Sequence, residues 1–202
     1  MARLSLEFGV AGCTAPGQHV SGALEVVHYY AKGAAALVAV IDGIGHGEPA
    51  AATARLAADT LLHTPDDPLV SLLARCHAAL QGTRGVAVSM ASIDLGRALL
   101  AWLGVGSVSG VVSHGAANLL AGQQEELLAR PGVVGAGNLP ALQPAIIPLR
   151  ARDTLIFATD GINRHFCDGL PPDTPPQRLA DEVMVRHCTG KDDALVVVAR
   201  AG

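Results

Sequence analysis

Apolar and polar positions along the chain alternate between short strand-like runs and three longer helical stretches. Residues 4–10, 23–30 and 35–41 read as strands, the third apolar almost without interruption. Gly and Pro punctuate the gaps, as in Pro16-Gly17 and Lys32-Gly33. Residues 49–63 are rich in Ala and Leu with no internal Gly, and Pro49 suits a first helical turn, so this stretch predicts a helix. A second helix is expected over about residues 68–80, set off by His63-Thr-Pro-Asp-Asp and by Gly82. Residues 86–93, 98–105 and 108–114 follow as short strands between glycine-containing turns, most simply a meander. Residues 131–148 are loop-rich and of low charge. They read either as a plain connection or as a partner-binding surface. Residues 154–159 form a buried strand ending at Asp160, Pro171-Pro-Asp-Thr-Pro-Pro a loop, 177–187 a helix and 194–199 a last strand.

Strands, two helices, more strands, a helix and a strand do not make the regular alternation of a doubly wound parallel sheet. Two antiparallel sheets with helices packed outside them fit better, which is an α+β architecture. At 202 residues, a single domain spanning 1–202 is expected.

Composition narrows the function. Half of the residues are hydrophobic but only 3% are aromatic, so Ala, Val, Leu and Ile must build the core. A net charge of −4 gives no broad basic field, which disfavours nucleic acid and anionic membrane as partners. No eighteen-residue apolar segment occurs, and the N-terminus carries a charge within its short apolar stretch, so a cytoplasmic protein is expected. Cys13, Cys76, Cys167 and Cys188 make no C-x-x-C pair and read as reduced thiols. None has Arg six positions on, which excludes the cysteine-nucleophile loop of tyrosine phosphatases.

Three acidic motifs carry the candidate chemistry. In Ile41-Asp42-Gly43-Ile44-Gly45-His46-Gly47 a carboxylate at a strand end precedes three alternating glycines, which permit tight turns and close approach of a ligand to the backbone. Thr159-Asp160-Gly161 repeats the placement, and Gly190-Lys191-Asp192-Asp193-Ala194 sets two acids before an apolar strand. Taken singly, each is a common turn aspartate. Together at one sheet edge they would suit magnesium or manganese, because carboxylate and carbonyl oxygens match hard divalent ions. Asp42-Gly43-Ile44 lacks the second acid of an Asp-x-Asp nucleophile, and no G-x-x-x-x-G-K-[ST] loop supports ATP binding. Gly104-Val-Gly-Ser-Val-Ser-Gly110 has its last Gly one place late for a dinucleotide fingerprint.

Asp42-Gly-Ile-Gly-His-Gly, Thr159-Asp160-Gly161 and Asp192-Asp193, in that order over nearly the whole chain, resemble the metal-dependent protein phosphatases of the type 2C (PPM) class. The likeness is to their small bacterial members in sigma-factor control, above all the stand-alone stressosome feedback phosphatases. It implies a four-layer α-β-β-α sandwich and two ions, manganese or magnesium. Asp42 would bridge them, the Gly43 carbonyl would ligate one, and Asp160 and Asp192 the other. Asp193 stands where the family often has Asn, as a supporting neighbour. The family's acid in the second strand is missing: Ser21-Gly22-Ala23 occupies its place, with Glu25 two positions on as a possible substitute, so one ion is expected to bind weakly. His46 is a candidate proton donor to the leaving serine oxygen, weighed against a turn-shaping role. Arg164 is a candidate phosphoryl contact, weighed against solvated surface charge.

The resemblance implies serine/threonine dephosphorylation of stressosome proteins carrying sulfate-transporter-and-anti-sigma-antagonist (STAS) domains, which would reset a stress-response pathway; the oligomeric state is not written in the residues, and a monomer is favoured. The alternatives are a phosphatase-fold binding module with little or no turnover, and a phosphatase of a lone anti-anti-sigma factor.

Overall fold

Burial along the apolar runs sorts them into two antiparallel five-stranded sheets. The structure is a computed structural model and describes residues 4–115, 124–168, 170 and 173–202. Residues 1–3, and residues 171 and 172 of the expected proline-rich loop, lie outside these. The strands are β1 (Leu6–Cys13), β2 (Ala23–Tyr30), β3 (Ala35–Gly43), β4 (Val86–Asp94), β5 (Leu99–Val105), β6 (Ser109–Ser113), β7 (Gln124–Leu127), β8 (Ala145–Pro148), β9 (Thr154–Ala158) and β10 (Ala194–Ala201). One sheet runs β1-β10-β9-β6-β7 and the other β2-β3-β4-β5-β8. Helices α1 (Gly47–His63) and α2 (Leu69–Ala79) cover the β3-containing sheet, and α3 (Pro176–His187) covers the other.

This is the expected four-layer sandwich, and each interface between layers has its own core. Ala54, Ala57, Leu61, Leu72 and Leu73 of the helices pack on Leu37, Ala39 and Ile41 of β3. The opposite face of β3, Val38 and Val40, meets Leu155, Phe157, Leu195 and Val197 across the gap between the sheets. Leu179, Ala180 and Val183 of α3 pack on Ile156, Val196 and Val198. β3 and β10 are therefore apolar on both faces, which explains their unbroken hydrophobic runs. Among the described residues, no helix is long and apolar enough to cross a membrane.

Three expectations change. The meander over 86–114 breaks after β5: β4 and β5 pair, but β6 crosses to the other sheet between β7 and β9. The crossing turn contains Gly106 at φ +99°, where a side chain would be strained. The loop-rich stretch 131–148 holds a strand, β8, on the edge beside β5, and buried Val134 exchanges two 2.9 Å backbone hydrogen bonds with Val86. Much of that stretch is thus structural. β7, Gln-Glu-Glu-Leu, is a polar edge strand that apolar patterning could not reveal.

Candidate metal centre

Asp42 is the eighth of nine residues in β3, on the face that lines the gap between the sheets, and it lies where that gap opens at one end of the sandwich. Ala23 of β2 and Ala87 of β4 stand directly opposite it, so small side chains flank the carboxylate on both neighbouring strands. Gly43 ends the strand under α1. A Cβ there would lie 2.3 Å from the Ala50 carbonyl oxygen, so only glycine lets the helix sit this close to the acid. Gly43 N–H donates to the Gly22 carbonyl at 3.0 Å, and Ile44 N–H to the Gly85 carbonyl at 3.1 Å, which fixes the start of the loop.

The second sheet brings the other acids. Asp160 follows β9 and is exposed, and Thr159 locks the strand end to β10: its hydroxyl donates to the Asp193 carbonyl and accepts from Leu195 N–H at 3.0 Å. Asp192 is exposed just before β10, and its Oδ1 accepts the Asp193 N–H at 2.8 Å. Asp193 is 1% exposed. Its Oδ1 accepts from Ala15 N–H and its Oδ2 from Gly22 N–H, both at 2.7 Å, so one carboxylate ties the β1–β2 connection to the β10 entry. Asp193 therefore holds Gly22 and Ala23 in place beside Asp42.

Electrostatics shows the convergence. The Asp42 carboxyl is pushed from the ordinary 3.8 up to about 7, first by burial and then by the negative charges of Asp160, Asp192 and Asp193. Acids from two sheets thus act on one another at the end of the gap. Among the described residues, no three His, Cys, Asp or Glu side chains stand together at metal-holding spacing. The chemistry of the donors nevertheless fits a hard divalent cation: a desolvated carboxylate beside further acids, small flanking side chains and a deficit of positive charge.

One expected residue is placed apart from this centre. Glu25 is exposed opposite Val40, two register positions along β2 from Ala23, and lines an open groove with Phe8 and Val27. Its carboxylate is not among the charges that act on Asp42. His46 is the exposed residue before α1, and its side chain makes no capping hydrogen bond. Arg164 does lie at the centre's edge, lining a groove of about 380 Å³ that opens at Asp160 and runs past Ser107 and Ser109 to exposed Leu128. The two hydrogen bonds of Asp193 and the position of Arg84, whose guanidinium lies against Gly45, had no local sign in the sequence. Both depend on contacts between distant segments.

Residues 32–202 match the family model described as Stage II sporulation protein E (SpoIIE). The chain belongs to that family. It is thereby a PP2C-type, metal-dependent protein phosphatase of the sigma-control kind. A comparison by sequence with curated proteins gave no match. Among solved structures it is similar to a chain from work on the bacterial stressosome as a modular system adapted to control secondary messenger signalling. That likeness has 26% identity and a TM-score of 0.85, over 97% of this chain and 100% of that one. It is similar in fold to RsbX in complex with magnesium (17% identity, 98% and 96% covered, TM-score 0.83). A third similar fold is the PP2C phosphatase domain, with a fragment of the regulatory domain, of the cell fate determinant SpoIIE from Bacillus subtilis (24% identity, 98% and 64% covered, TM-score 0.80).

Proposed function

We propose that this SpoIIE-family chain removes phosphate from phosphoserine or phosphothreonine in a stressosome STAS-domain protein, with manganese or magnesium held by Asp42, the Gly43 carbonyl, Asp160 and Asp192. The observation that carries the reading is the repulsion that acids of one sheet exert on Asp42 in the other, a charge imbalance that bound cations would cancel. Such ions, when bound, lower the pKa of a coordinated water and neutralise phosphoryl charge, so no protein nucleophile is required.

The chain's own residues would set the geometry. Asp42 stands near the end of an inner strand that is paired on both sides, so its backbone is fixed. Asp193 does not reach outward: both its oxygens are engaged, and it serves as a brace for the loop that carries Gly22. The open groove from Asp160 to Leu128 would receive the polypeptide around the phosphorylated residue, with Arg164 on its wall. The magnesium complex of RsbX and the stressosome origin of a similar chain support both the ion type and the substrate class.

Ala23, opposite Asp42, offers no side-chain oxygen, which favours one weakly held ion and a need for millimolar metal. It also keeps alive a binding module with slow turnover. The test compares phosphate release from a serine-phosphorylated STAS-domain protein, from an unrelated phosphoserine protein and from p-nitrophenyl phosphate, each with manganese. Preferential release from the STAS-domain protein supports the substrate. Equal rates on both proteins would overturn it, and no manganese-dependent rate on any of the three would favour the binding module.

A further inference from the structure

We propose that Arg84 orients the phosphoryl group, its guanidinium taking phosphoryl oxygens of the substrate and of the released inorganic phosphate beside the Asp42 loop. The proposal rests on the phosphatase reading of that loop and adds a residue to it.

Arg84 lies in Gly82-Thr83-Arg84-Gly85, between α2 and β4, far from the acids in sequence. Its side chain nevertheless crosses to the loop after Asp42. A Cβ on Gly45 would stand 2.8 Å from Arg84 Nη1, and Gly45 has φ +93°, a backbone conformation that favours glycine. The guanidinium thus lies directly on the main chain three residues beyond Asp42.

The turn that carries it is fixed. Thr83 Oγ1 donates to the Leu80 carbonyl at 2.7 Å and accepts the Gly85 N–H at 3.0 Å, closing the turn on itself. Gly85 carbonyl accepts the Ile44 N–H at 3.1 Å, so the residue after Arg84 is bonded to the residue before Gly45. The turn that carries Arg84 and the acid loop are therefore held in one frame, and what a ligand has to order is the arginine side chain alone.

Its side chain is unengaged. Arg55 pairs with Glu48, Arg75 with Asp67 and Arg152 with Asp173, whereas Arg84, among the described residues, makes no hydrogen bond or ion pair. An arginine that lies against the loop following Asp42, yet is bonded to no acid, retains all its donors for an anion that enters beside that loop. A planar guanidinium can grip two phosphoryl oxygens at once, which an ammonium cannot.

The test is inorganic phosphate binding by calorimetry with magnesium present, for the intact chain, Arg84→Ala and Arg84→Lys. Arg84→Ala is expected to weaken phosphate binding on the order of ten- to a hundredfold, the range of a charge-assisted contact, and Arg84→Lys to restore only part of it. Melting in chelator should be unchanged in both variants, because the side chain is exposed and unpartnered. Phosphate bound as tightly by Arg84→Ala as by the parent chain would overturn the proposal, as would a parent chain that binds no phosphate. Loss of binding in Arg84→Ala in a protein without turnover would support Arg84 and sink only the hydrolytic reading.

Discussion

Replacing Asp42 by Asn should make the metal-free protein more stable while abolishing its activity. The carboxyl is raised from 3.8 to about 7, so the folded chain binds more protons than the unfolded chain between those values. Stability therefore falls as pH rises through that window, and the cost is complete above about pH 7. A shift of about three units corresponds to at most about 4 kcal/mol, and partial contact with water brings the expected gain for Asn to about 2–4 kcal/mol at pH 8. For a domain of this size that is a rise in melting temperature of roughly 4–16 °C. The assay is thermal denaturation in chelator at pH 8 and again near pH 4, where the gain should shrink to under about 1 kcal/mol because the carboxyl of the folded parent chain is then protonated and that of the unfolded chain is only about half ionised. Manganese should then narrow the gap: the parent chain gains about 2.7 kcal/mol at a hundredfold excess over its dissociation constant, and the variant gains much less. A variant that is destabilised in chelator at pH 8, or whose advantage is the same at pH 4 and pH 8, would refute the electrostatic account of the centre.

Two further predictions follow from the same contacts. Asp193→Ala strands the buried N–H groups of Ala15 and Gly22, which should cost about 2–5 kcal/mol and lower the melting temperature, read by denaturation in chelator. A loss within about 0.5 kcal/mol would show that water replaces the brace. Ala23→Asp places a carboxylate opposite Asp42, so it should lower the manganese concentration for half-maximal p-nitrophenyl phosphate hydrolysis and lower stability in chelator. An unchanged manganese requirement would remove Ala23 as the cause of a weak ion.

The layers of the fold were legible wherever both faces of a strand are apolar or a helix shows one small-residue stripe. β3 is read to within two residues of its end because Ala35 to Ile41 is unbroken, and α1 because Ala50, Ala54, Ala57 and Leu61 recur on one face. β7 and β8 escaped notice: one is Gln-Glu-Glu-Leu, and the other is four residues that follow Pro144 and end in Pro148, with Ile146 turned to solvent. The route of β6 into the other sheet is decided by pairing with β9 and by the turn at Gly106, neither of which leaves a periodic signal.

At the centre, Asp42, Asp160 and Asp192 stood out because each adjoins a glycine or an apolar strand. The brace made by Asp193 and the arginine against Gly45 join residues 171 and 39 positions apart, so only the folded chain brings them together. Glu25 was a reasonable substitute for the missing acid by strand parity. Two residues of strand displace it along β2 by about 6–7 Å, however, and its carboxylate is not among the charges that act on Asp42.

The most direct test is phosphate release from a phosphorylated STAS-domain protein by the parent chain with manganese, by the same chain with chelator, and by Asp160→Asn with manganese. Asp160 is exposed and its charge repels Asp42, so in chelator its variant should melt no lower than the parent chain does. The account predicts release in the first case and a loss of at least about a hundredfold in the other two. Full activity of Asp160→Asn, or release that chelator does not diminish, would contradict it.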